Sequence, residues 1–152
     1  DQCPFCPNST PGPKNYCCQS WNFGTGGNAG LKIPPRTTVG MFARNNISTK
    51  FSDVQDGLSN TFMVGETIPG HCTFMGVYSQ NFPVSGTSIP LNIMESAKGS
   101  NWYRTCGFKS HHYGGANFVM GDGSTHFVLD SIDYRLYNQL GTRDGKDHVS
   151  LP

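Results

Sequence analysis

Three histidines and an aspartate fall within the stretch FKSHHYGGANFVMGDGSTHF at residues 108–127. Imidazole and carboxylate groups bind zinc and act as general acids and bases, so a metal or catalytic site is the first hypothesis. Neighbouring side chains of an extended segment point to opposite sides, so His111 and His112 would not easily bind one ion. Neither His126 nor Asp122 lies at a metal-motif spacing from them. The interpretation we favour is structural, with His112 hydrogen-bonded to a turn backbone or to the Asp122 carboxylate.

Other catalytic patterns are weak. The sequence has no Gly-x-Ser-x-Gly nucleophile elbow, and Glu66 and Glu95 are its only glutamates. A hydrolase of the serine type needs such an elbow, and a glycosidase needs two positioned carboxyl groups. We therefore expect no catalytic residues and no enzyme, and a hydrolase is the third of the functional hypotheses.

Carboxylates lie close together in two loops, DVQDG and RDGKD. Calcium prefers oxygen ligands from flexible loops of this kind. Neither loop matches the EF-hand pattern, and Asp and Gly are also ordinary turn residues. We expect no cofactor, and calcium is the alternative at Asp53, Asp56, Asp144 and Asp147.

Four aromatic residues suggest a second kind of site, for a small ligand or a glycan. Plain packing is the explanation we favour for these residues, since aromatic side chains bury large apolar surfaces. The candidates for ligand contact are Trp21, Tyr78, Trp102 and Tyr103.

The even number of cysteines favours an exported domain with disulfides. The CPFC spacing also permits zinc, but the adjacent pair Cys17 and Cys18 is poorly placed to chelate one ion. Many pairings are open, and Cys72 with Cys106 is assigned by elimination alone. The disulfide candidates are Cys3, Cys6, Cys17, Cys18, Cys72 and Cys106.

Charge and composition exclude several classes of protein. Only 14% of residues are charged, the formal net charge is +1, and the basic residues are scattered, so nucleic acid and anionic membrane surfaces are not expected partners. The 19 glycines and 10 prolines indicate short strands, many turns and few helices. No apolar run is long enough to cross a bilayer, and the chain starts at DQCPFC without Met, which suggests a processed, trimmed or partial product.

The elements that must position these residues follow from the same sequence. Residues 1–36 form a Cys/Pro/Gly-rich arm that disulfides would hold together, and residues 37–152 form the head. Short strands are predicted at 37–44, 47–51 and 61–67, with Phe62 and Val64 on alternate positions, and another at 102–108. A turn cluster covers 53–60, and 67–101 is irregular.

The stretch at 108–127 itself predicts a hairpin. A two-residue turn at Asp122-Gly123 with positive φ at both positions is a strong local signal. This turn would place Phe118 opposite Phe127, Ala116 opposite Leu129 and Met120 opposite Thr125 on one apolar face. One short helix follows, with Ile132, Leu136 and Leu140 at helical spacing, Asp133 in its first turn and Gly141 as its stop.

Two blocks of the sequence resemble a known family. The nine residues between His112 and Asp122-Gly123, with GGANFVMGDGSTHFV around them, are similar to the prepilin-type His-x9-Asp-Gly family that is abundant in planctomycetes. FSDVQDGLSNTFMVGE at 51–66 resembles the family's Asp-Gly-x-Ser-Asn-Thr segment and its following strand and Glu. GMFARN and YNQLGTRDGKD are also similar, whereas 67–107 is not. The family is described as of unknown function and also carries a bacterial solute-binding label.

The resemblance implies a pilin-like head, an antiparallel sheet that normally packs on a long N-terminal helix. It implies a pilin- or pseudopilin-like structural subunit at the cell surface, secreted or periplasmic, with other pilin-like subunits or surface proteins as partners and membrane contact only through that helix. The leader and the helix are absent from this chain, so we expect a shed or truncated head, or one whose helix was not included. No catalytic residues carry over, and the signature positions are His112, Asp122, Gly123, Ser59, Asn60 and Glu66. An extracellular ligand-binding module is the alternative function.

Overall fold

The computed structural model describes residues 40–42, 48–72, 85–96, 105–146 and 148–152. Within these ranges it contains an antiparallel sheet of three strands, in the order β1–β2–β3, and one short helix. The strands are β1 (Phe62–Gly65), β2 (Gly115–Met120) and β3 (Thr125–Leu129), and the helix is α1 (Tyr134–Gln139). Short 3-10 turns cover Phe51–Asp53, Leu58–Asn60 and Pro69–His71. A mixed α+β class with many loops is therefore confirmed for this part of the chain, and the predicted arm at 1–36 lies outside it.

One face of the sheet and the helix α1 form the core. Phe62 stacks on Phe118 with ring centroids 4.3 Å apart, and Tyr137 of α1 meets Phe118 edge-on at 6.2 Å. Met120 and Leu140 are fully buried in the same cluster. Burying a side chain of this size stabilises the fold by roughly 1.5–3 kcal/mol relative to leaving it in water. This cluster therefore fixes the sheet against the helix.

The predicted hairpin between β2 and β3 exists, but its predicted register is wrong by one residue. Phe118 lies opposite His126 and Ala116 opposite Val128. The loop is longer than a two-residue turn, because the Gly123 N–H donates to the Met120 carbonyl at 3.0 Å and the Met120 N–H to the Ser124 carbonyl at 2.8 Å. Only Gly123 of the Asp122-Gly123 pair has a positive φ, at 87°. This is the pattern of a turn followed by a single left-handed residue, which adds one residue to the loop.

The shift by one residue moves the side chains of β3 to the other face. Val128 is buried in the core, whereas Phe127 and Leu129, predicted to be in the core, are 47% and 56% exposed. Successive residues of a strand alternate between faces, so any odd shift in register has this effect.

Strand β1 contains an irregularity with a similar consequence. Its strand assignment is confirmed, but the register with β2 shifts between Phe62 and Val64. Residues two apart in a regular strand share a face. Here Phe62 is buried and Val64 is 51% exposed, so the shift turns Val64 away from the core.

The C-terminal helix is confirmed, with one change at its start. Asp133 is the N-cap, not a first-turn residue, and its carboxylate accepts the Leu136 N–H at 2.8 Å. This bond satisfies one of the N–H groups that a helix start leaves free. The Gly141 N–H donates back to the Asn138 carbonyl, so the helix stops where predicted.

Other predicted strands are not found where the chain is described. Residues 40–42 and 48–50 are not in strands, and Phe51 begins a 3-10 turn, which contradicts a strand at 47–51. Of the strand predicted at 102–108, residues 105–108 are described and are not in a strand. The turn cluster at 53–60 and the irregular character of 67–72 and 85–96 agree with prediction.

Cys72 and Cys106 form a disulfide with their Cα atoms 5.3 Å apart, and both residues are buried. The pairing assigned by elimination is thus the one the structure contains. Disulfides persist in oxidising compartments, so this bond is consistent with an extracytoplasmic location. In the described ranges no helix has the length and apolar character needed to span a membrane.

Candidate functional site

The signature positions predicted from the sequence lie in two clusters at opposite ends of β2. The first, here called the Glu66 cluster, consists of Glu66, Ser110, His112 and Asn117. The second, the Asp122 turn, consists of Ser59, Asp122, Gly123 and Ser124. Ser110, Asn117 and Ser124 were not singled out from the sequence. His112 and Asp122, which the prediction joined, lie in different clusters.

Glu66 extends the sheet beyond the end of β1. Its N–H donates to the Asn117 carbonyl at 3.2 Å, and its carboxylate accepts the Asn117 N–H at 2.7 Å. Its carbonyl accepts the Lys109 N–H at 2.9 Å. One residue thus joins β1, β2 and the 109–112 segment.

The Glu66 carboxylate is a stabilised anion. Burial raises its pKa, but hydrogen bonds from Asn117 and from the Ser110 side chain, together with the nearby His112, outweigh burial and lower the pKa below its ordinary value of 4.5. Hydrogen bonds to a carboxylate favour its charged form. Glu66 is therefore ionised at neutral pH and does not serve as a proton donor there.

His112 contacts Glu66 and not the Asp122 turn. Its Nε2 lies 3.3 Å from the Glu66 Oε1, and its backbone N–H donates to the Ser110 Oγ at 3.1 Å. Its ring also meets Phe127 edge-on, with centroids 6.4 Å apart. The predicted bond to the turn or to the Asp122 carboxylate is thus wrong, because β2 separates the two. The structural role expected for His112 stays a prediction.

The Asp122 carboxylate has its own partners within its turn. It accepts the Ser124 N–H at 2.9 Å and the Ser124 hydroxyl at 2.7 Å. These bonds, with one from the Ser59 side chain, lower its pKa from 3.8 to about 2. An aspartate that binds the N–H two residues further on is a common turn-forming device.

Ser59 and Asn60 lie in the 3-10 turn that faces this hairpin loop. The Asp122 N–H donates to the Leu58 carbonyl at 3.2 Å and the Gly121 N–H to the Thr61 carbonyl at 2.9 Å. The Asn60 side chain donates to the Asp56 carbonyl at 3.5 Å and so closes its own turn. The two sequence blocks singled out by the resemblance are thus in direct contact through backbone hydrogen bonds.

A shallow cleft of about 360 Å³ borders the Glu66 cluster. Its lining includes residues that the sequence did not single out as functional. They are Thr67, Ile68, Lys109 and Ser110, beside Glu66, His111 and His112. Adjacency to the two histidines was the only sequence signal for Lys109 and Ser110.

Lys109 is fully buried, although lysine is seldom found inside proteins without a partner. Its Nζ donates to the Glu95 carbonyl at 3.3 Å. Burial lowers its pKa, and the Glu95 carboxylate partly opposes this effect. The pKa of His71 is also lowered, by burial and then by the positive charges of Lys109 and His111.

The side chains of the Glu66 cluster are not arranged for nucleophilic catalysis. In a serine hydrolase the histidine lies between the serine and the acid and takes the serine proton. Here Glu66 contacts both Ser110 and His112, and the Ser110 oxygen accepts from the His112 backbone. The acid occupies the central place, so the serine–histidine contact of such a triad is not made among these side chains.

The calcium candidates are spread among different contacts. Asp53 accepts the Lys50 N–H at 2.8 Å, and Asp56 accepts the Gly145 N–H at 2.7 Å and the Thr142 hydroxyl at 3.2 Å. Asp144 is exposed, and Asp147 lies outside the described residues. No group of three or more His, Cys, Asp or Glu placed to hold a metal occurs in the part of the chain that is described. A calcium site stays a prediction.

The remaining candidates fall outside the described ranges. These are the cysteines of the N-terminal region and the aromatic ligand-contact residues, namely Cys3, Cys6, Cys17, Cys18, Trp21, Tyr78, Trp102 and Tyr103. Disulfide formation, with zinc binding as its alternative, stays a prediction for the cysteines. Ligand contact, with plain packing as its alternative, stays a prediction for the aromatic residues.

The sheet has an apolar surface on the side away from the core. We call it the outer face and define it as Val64, Val119, Phe127 and Leu129. Val64 lies opposite Val119 in the register, and Phe127 packs beside Gly115, where an added Cβ would lie 2.8 Å from its ring. Three of the four side chains are about half exposed. Sequence reasoning missed this surface because it placed Phe127 and Leu129 in the core.

A family model provides the context for this arrangement. The model described as "Protein of unknown function (DUF1559)" matches residues 2–135. The chain belongs to this family. The match covers the Glu66 cluster, the Asp122 turn and all three strands, so the DUF1559 sequence pattern includes every element of the described sheet. No curated protein and no solved structure matches the chain.

Proposed function

We propose that this chain is an extracytoplasmic structural subunit, pilin- or pseudopilin-like, of a cell-surface filament or secretion-type assembly. It acts through contacts with other pilin-like subunits or surface proteins and carries out no reaction. The membership in DUF1559 and the disulfide are compatible with this role.

The observation that supports the proposal best is the outer face. Single exposed apolar residues are normal, whereas a contiguous apolar patch on a protein surface marks a contact site. Val64, Phe127 and Leu129 come from the two outer strands of the sheet and lie on the same side. In the register Val119 lies beside Val64, and Asn117 lies opposite Phe127. A rigid sheet that presents such a surface is suited to binding another protein surface.

Site-specific photo-cross-linking in the producing cell tests the proposal. A photoreactive residue at Val64 or Leu129 should give cross-linked species of high molecular mass in the cell-surface fraction. The same residue at Asp144, which is exposed and polar, is the matched control and should give few. Equal cross-linking from all three positions, or a protein found only as a monomer, would contradict the proposal.

A ligand-binding role is the second candidate, and the cleft beside the Glu66 cluster is its supporting observation. A volume of about 360 Å³ lies at the small end of the range for ligand sites, and the polar groups of Glu66, Ser110 and His112 border it. Under this hypothesis a panel of sugars and small organic acids would include one that raises the melting temperature of the chain. That shift should disappear in a Ser110→Ala variant.

A further inference from the structure

The two edges of the described sheet differ in how their backbone groups are used. Along β1 the Phe62 N–H donates to the Leu140 carbonyl at 2.7 Å, and just beyond the strand Lys109 binds Glu66. That edge is therefore covered by other parts of the chain. Strand β3 forms the opposite edge of the sheet.

The register shows which groups of β3 point outward. The bonds from Met120 to Ser124 and from Asp130 to Gly114 identify the hydrogen-bonded pairs of the β2–β3 ladder. Such pairs recur at every second residue, so His126 and Val128 bond inward to β2. The N–H and C=O groups of Thr125 and Phe127, and the N–H of Leu129, consequently point away from the sheet.

In its own sequence and register, and within the described residues, strand β3 also lacks features that usually protect an edge. Natural edge strands carry lysine, proline or a bulge that prevents pairing with another strand. The segment THFVL has neither lysine nor proline, and its register with β2 is continuous over five residue pairs. Four of its five residues are exposed.

We propose that β3 pairs antiparallel with β3 of a second copy of this chain, about a two-fold axis at Phe127, and so joins two sheets into one. The occupant is a second copy because the arrangement is self-complementary. With the axis at Phe127, the two Phe127 residues exchange backbone hydrogen bonds, and Thr125 of each copy faces Leu129 of the other.

The side chains are compatible with this pairing. The strand has no formally charged residue at neutral pH, so no like charges come together across the axis. The outer faces of the two copies become continuous, with Phe127 next to Phe127 and Leu129 on either side. A strand of five residues buries less area than the roughly 1,200 Å² of a stable complex, so the dimer forms only at high protein concentration.

This inference rests on the proposed function, because it names the partner for one part of the contact surface. The proposed function and this inference can nevertheless be refuted by separate measurements. Cross-links from Val64 in cells report assembly through the outer face, whereas the measurements below report pairing of the β3 edge in the purified 152-residue chain. Assemblies that form without edge pairing would overturn only the inference.

Sedimentation equilibrium over a wide concentration range tests self-association of the full chain. The wild type should dimerise, and Phe127→Pro should weaken the dimer about tenfold or more, since proline removes the outward N–H. Phe127→Val is the matched control, because it keeps the N–H and should change the dissociation constant little. A wild type that stays monomeric, or equal weakening by both variants, would overturn the proposal.

A charge-swap pair keeps the proposal testable if Phe127→Pro does not fold. Phe127→Arg and Phe127→Glu each place like charges face to face across the axis, so each variant alone should be monomeric. Their equimolar mixture should form a heterodimer, seen by native mass spectrometry. A mixture that stays monomeric while both variants retain the wild-type circular dichroism spectrum would overturn pairing about Phe127.

Discussion

At the scale of single residues, Glu66 links more of the structure than its position at a strand end suggests. Its backbone and carboxylate contact Asn117 of β2, and its carbonyl holds the segment that carries Ser110 and His112. Removing the charge leaves the Asn117 N–H with a weaker acceptor and changes the group that lies 3.3 Å from the His112 Nε2. The effect should therefore reach both β2 and the 109–112 segment.

We expect Glu66→Gln to lower the free energy of unfolding by about 1–3 kcal/mol at neutral pH, as for a lost hydrogen bond to a charged group. Urea denaturation followed by circular dichroism measures it. Asp144→Asn, which removes an exposed carboxylate away from the Glu66 cluster, is the control and should change stability little. An equal loss in both variants would contradict the role assigned to Glu66.

The same substitution should change the acid dependence of stability. The folded-state pKa of Glu66 lies below 4.5, so its stabilisation is complete above that pH and is lost as the pH falls through the folded-state pKa. The wild type should therefore lose more stability than Glu66→Gln between about pH 5 and pH 3. Parallel pH profiles for the two proteins would show that the carboxylate is not linked to folding.

At the scale of elements, the β2–β3 hairpin depends on two glycines for different reasons. Gly123 has a φ of 87°, and a Cβ there would meet nothing within 4 Å, so only backbone conformation requires glycine. At Gly115 a Cβ would collide with the Val128 carbonyl oxygen and lie 2.8 Å from the Phe127 ring. Conformation limits the first position and space limits the second.

We expect Gly123→Ala to destabilise the protein by about 1 kcal/mol and Gly123→Asn by less, because asparagine tolerates positive φ better than alanine. Gly115→Ala should cost more than either, since the neighbouring strand must move. Thermal denaturation of the three variants gives the order. A loss of stability in Gly123→Asn as large as that in Gly115→Ala would contradict this explanation, in which Gly123 is required by backbone conformation and Gly115 by lack of space.

The hairpin also shows how far sequence reasoning reached at this scale. The Asp-Gly pair located the turn, and the spacing of Ile132, Leu136 and Leu140 located the helix, because both signals are local. The register failed because one residue of loop length, set by whether Asp122 also has positive φ, decides which face every later side chain takes. Ser59 and Leu58 contact the turn from a distant part of the sequence, and a local pattern does not reveal such contacts.

The candidate site was predictable only as a set of residues. Glu66 and His112 were both singled out, but their contact depends on the pairing of β1 with β2, which sequence patterns did not define. Ser110 and Asn117 carry no unusual local signal, since serine and asparagine are common in turns. The sequence patterns did not predict how these separate elements lie relative to one another.

At the scale of the whole molecule, the disulfide and Glu66 connect the same two parts of the chain. Cys72 follows Glu66 and is bonded to Cys106, and Glu66 itself accepts a hydrogen bond from nearby Lys109. The Thr67 hydroxyl donates to the Gly107 carbonyl at 3.2 Å, close in sequence to both Cys72 and Cys106. The bond spans a sequence separation of 34 residues. Cross-linking a loop of this length reduces the conformational freedom of the unfolded chain.

We expect the double variant Cys72→Ala with Cys106→Ala to lose about 3–4 kcal/mol of unfolding free energy, from the loop-closure relation. Chemical denaturation under non-reducing conditions measures the loss. The single Cys72→Ala variant also lacks the bond and should lose a similar amount. A loss near zero in the double variant would mean that the two parts of the chain are held together by their hydrogen bonds alone.

The two clusters at the ends of β2 give a meaning to the nine residues between His112 and Asp122. These residues are Tyr113, Gly114, the six residues of β2 and Gly121. The contact of Glu66 with His112 fixes one end of this segment, and the contact of Ser59 with Asp122 fixes the other. The number of residues between His112 and Asp122 is therefore set by the length of the central strand β2. An insertion of one residue within it would satisfy one cluster only by displacing the other, or by forming a new bulge. The spacing thus records a distance that the fold must span, independently of any reaction.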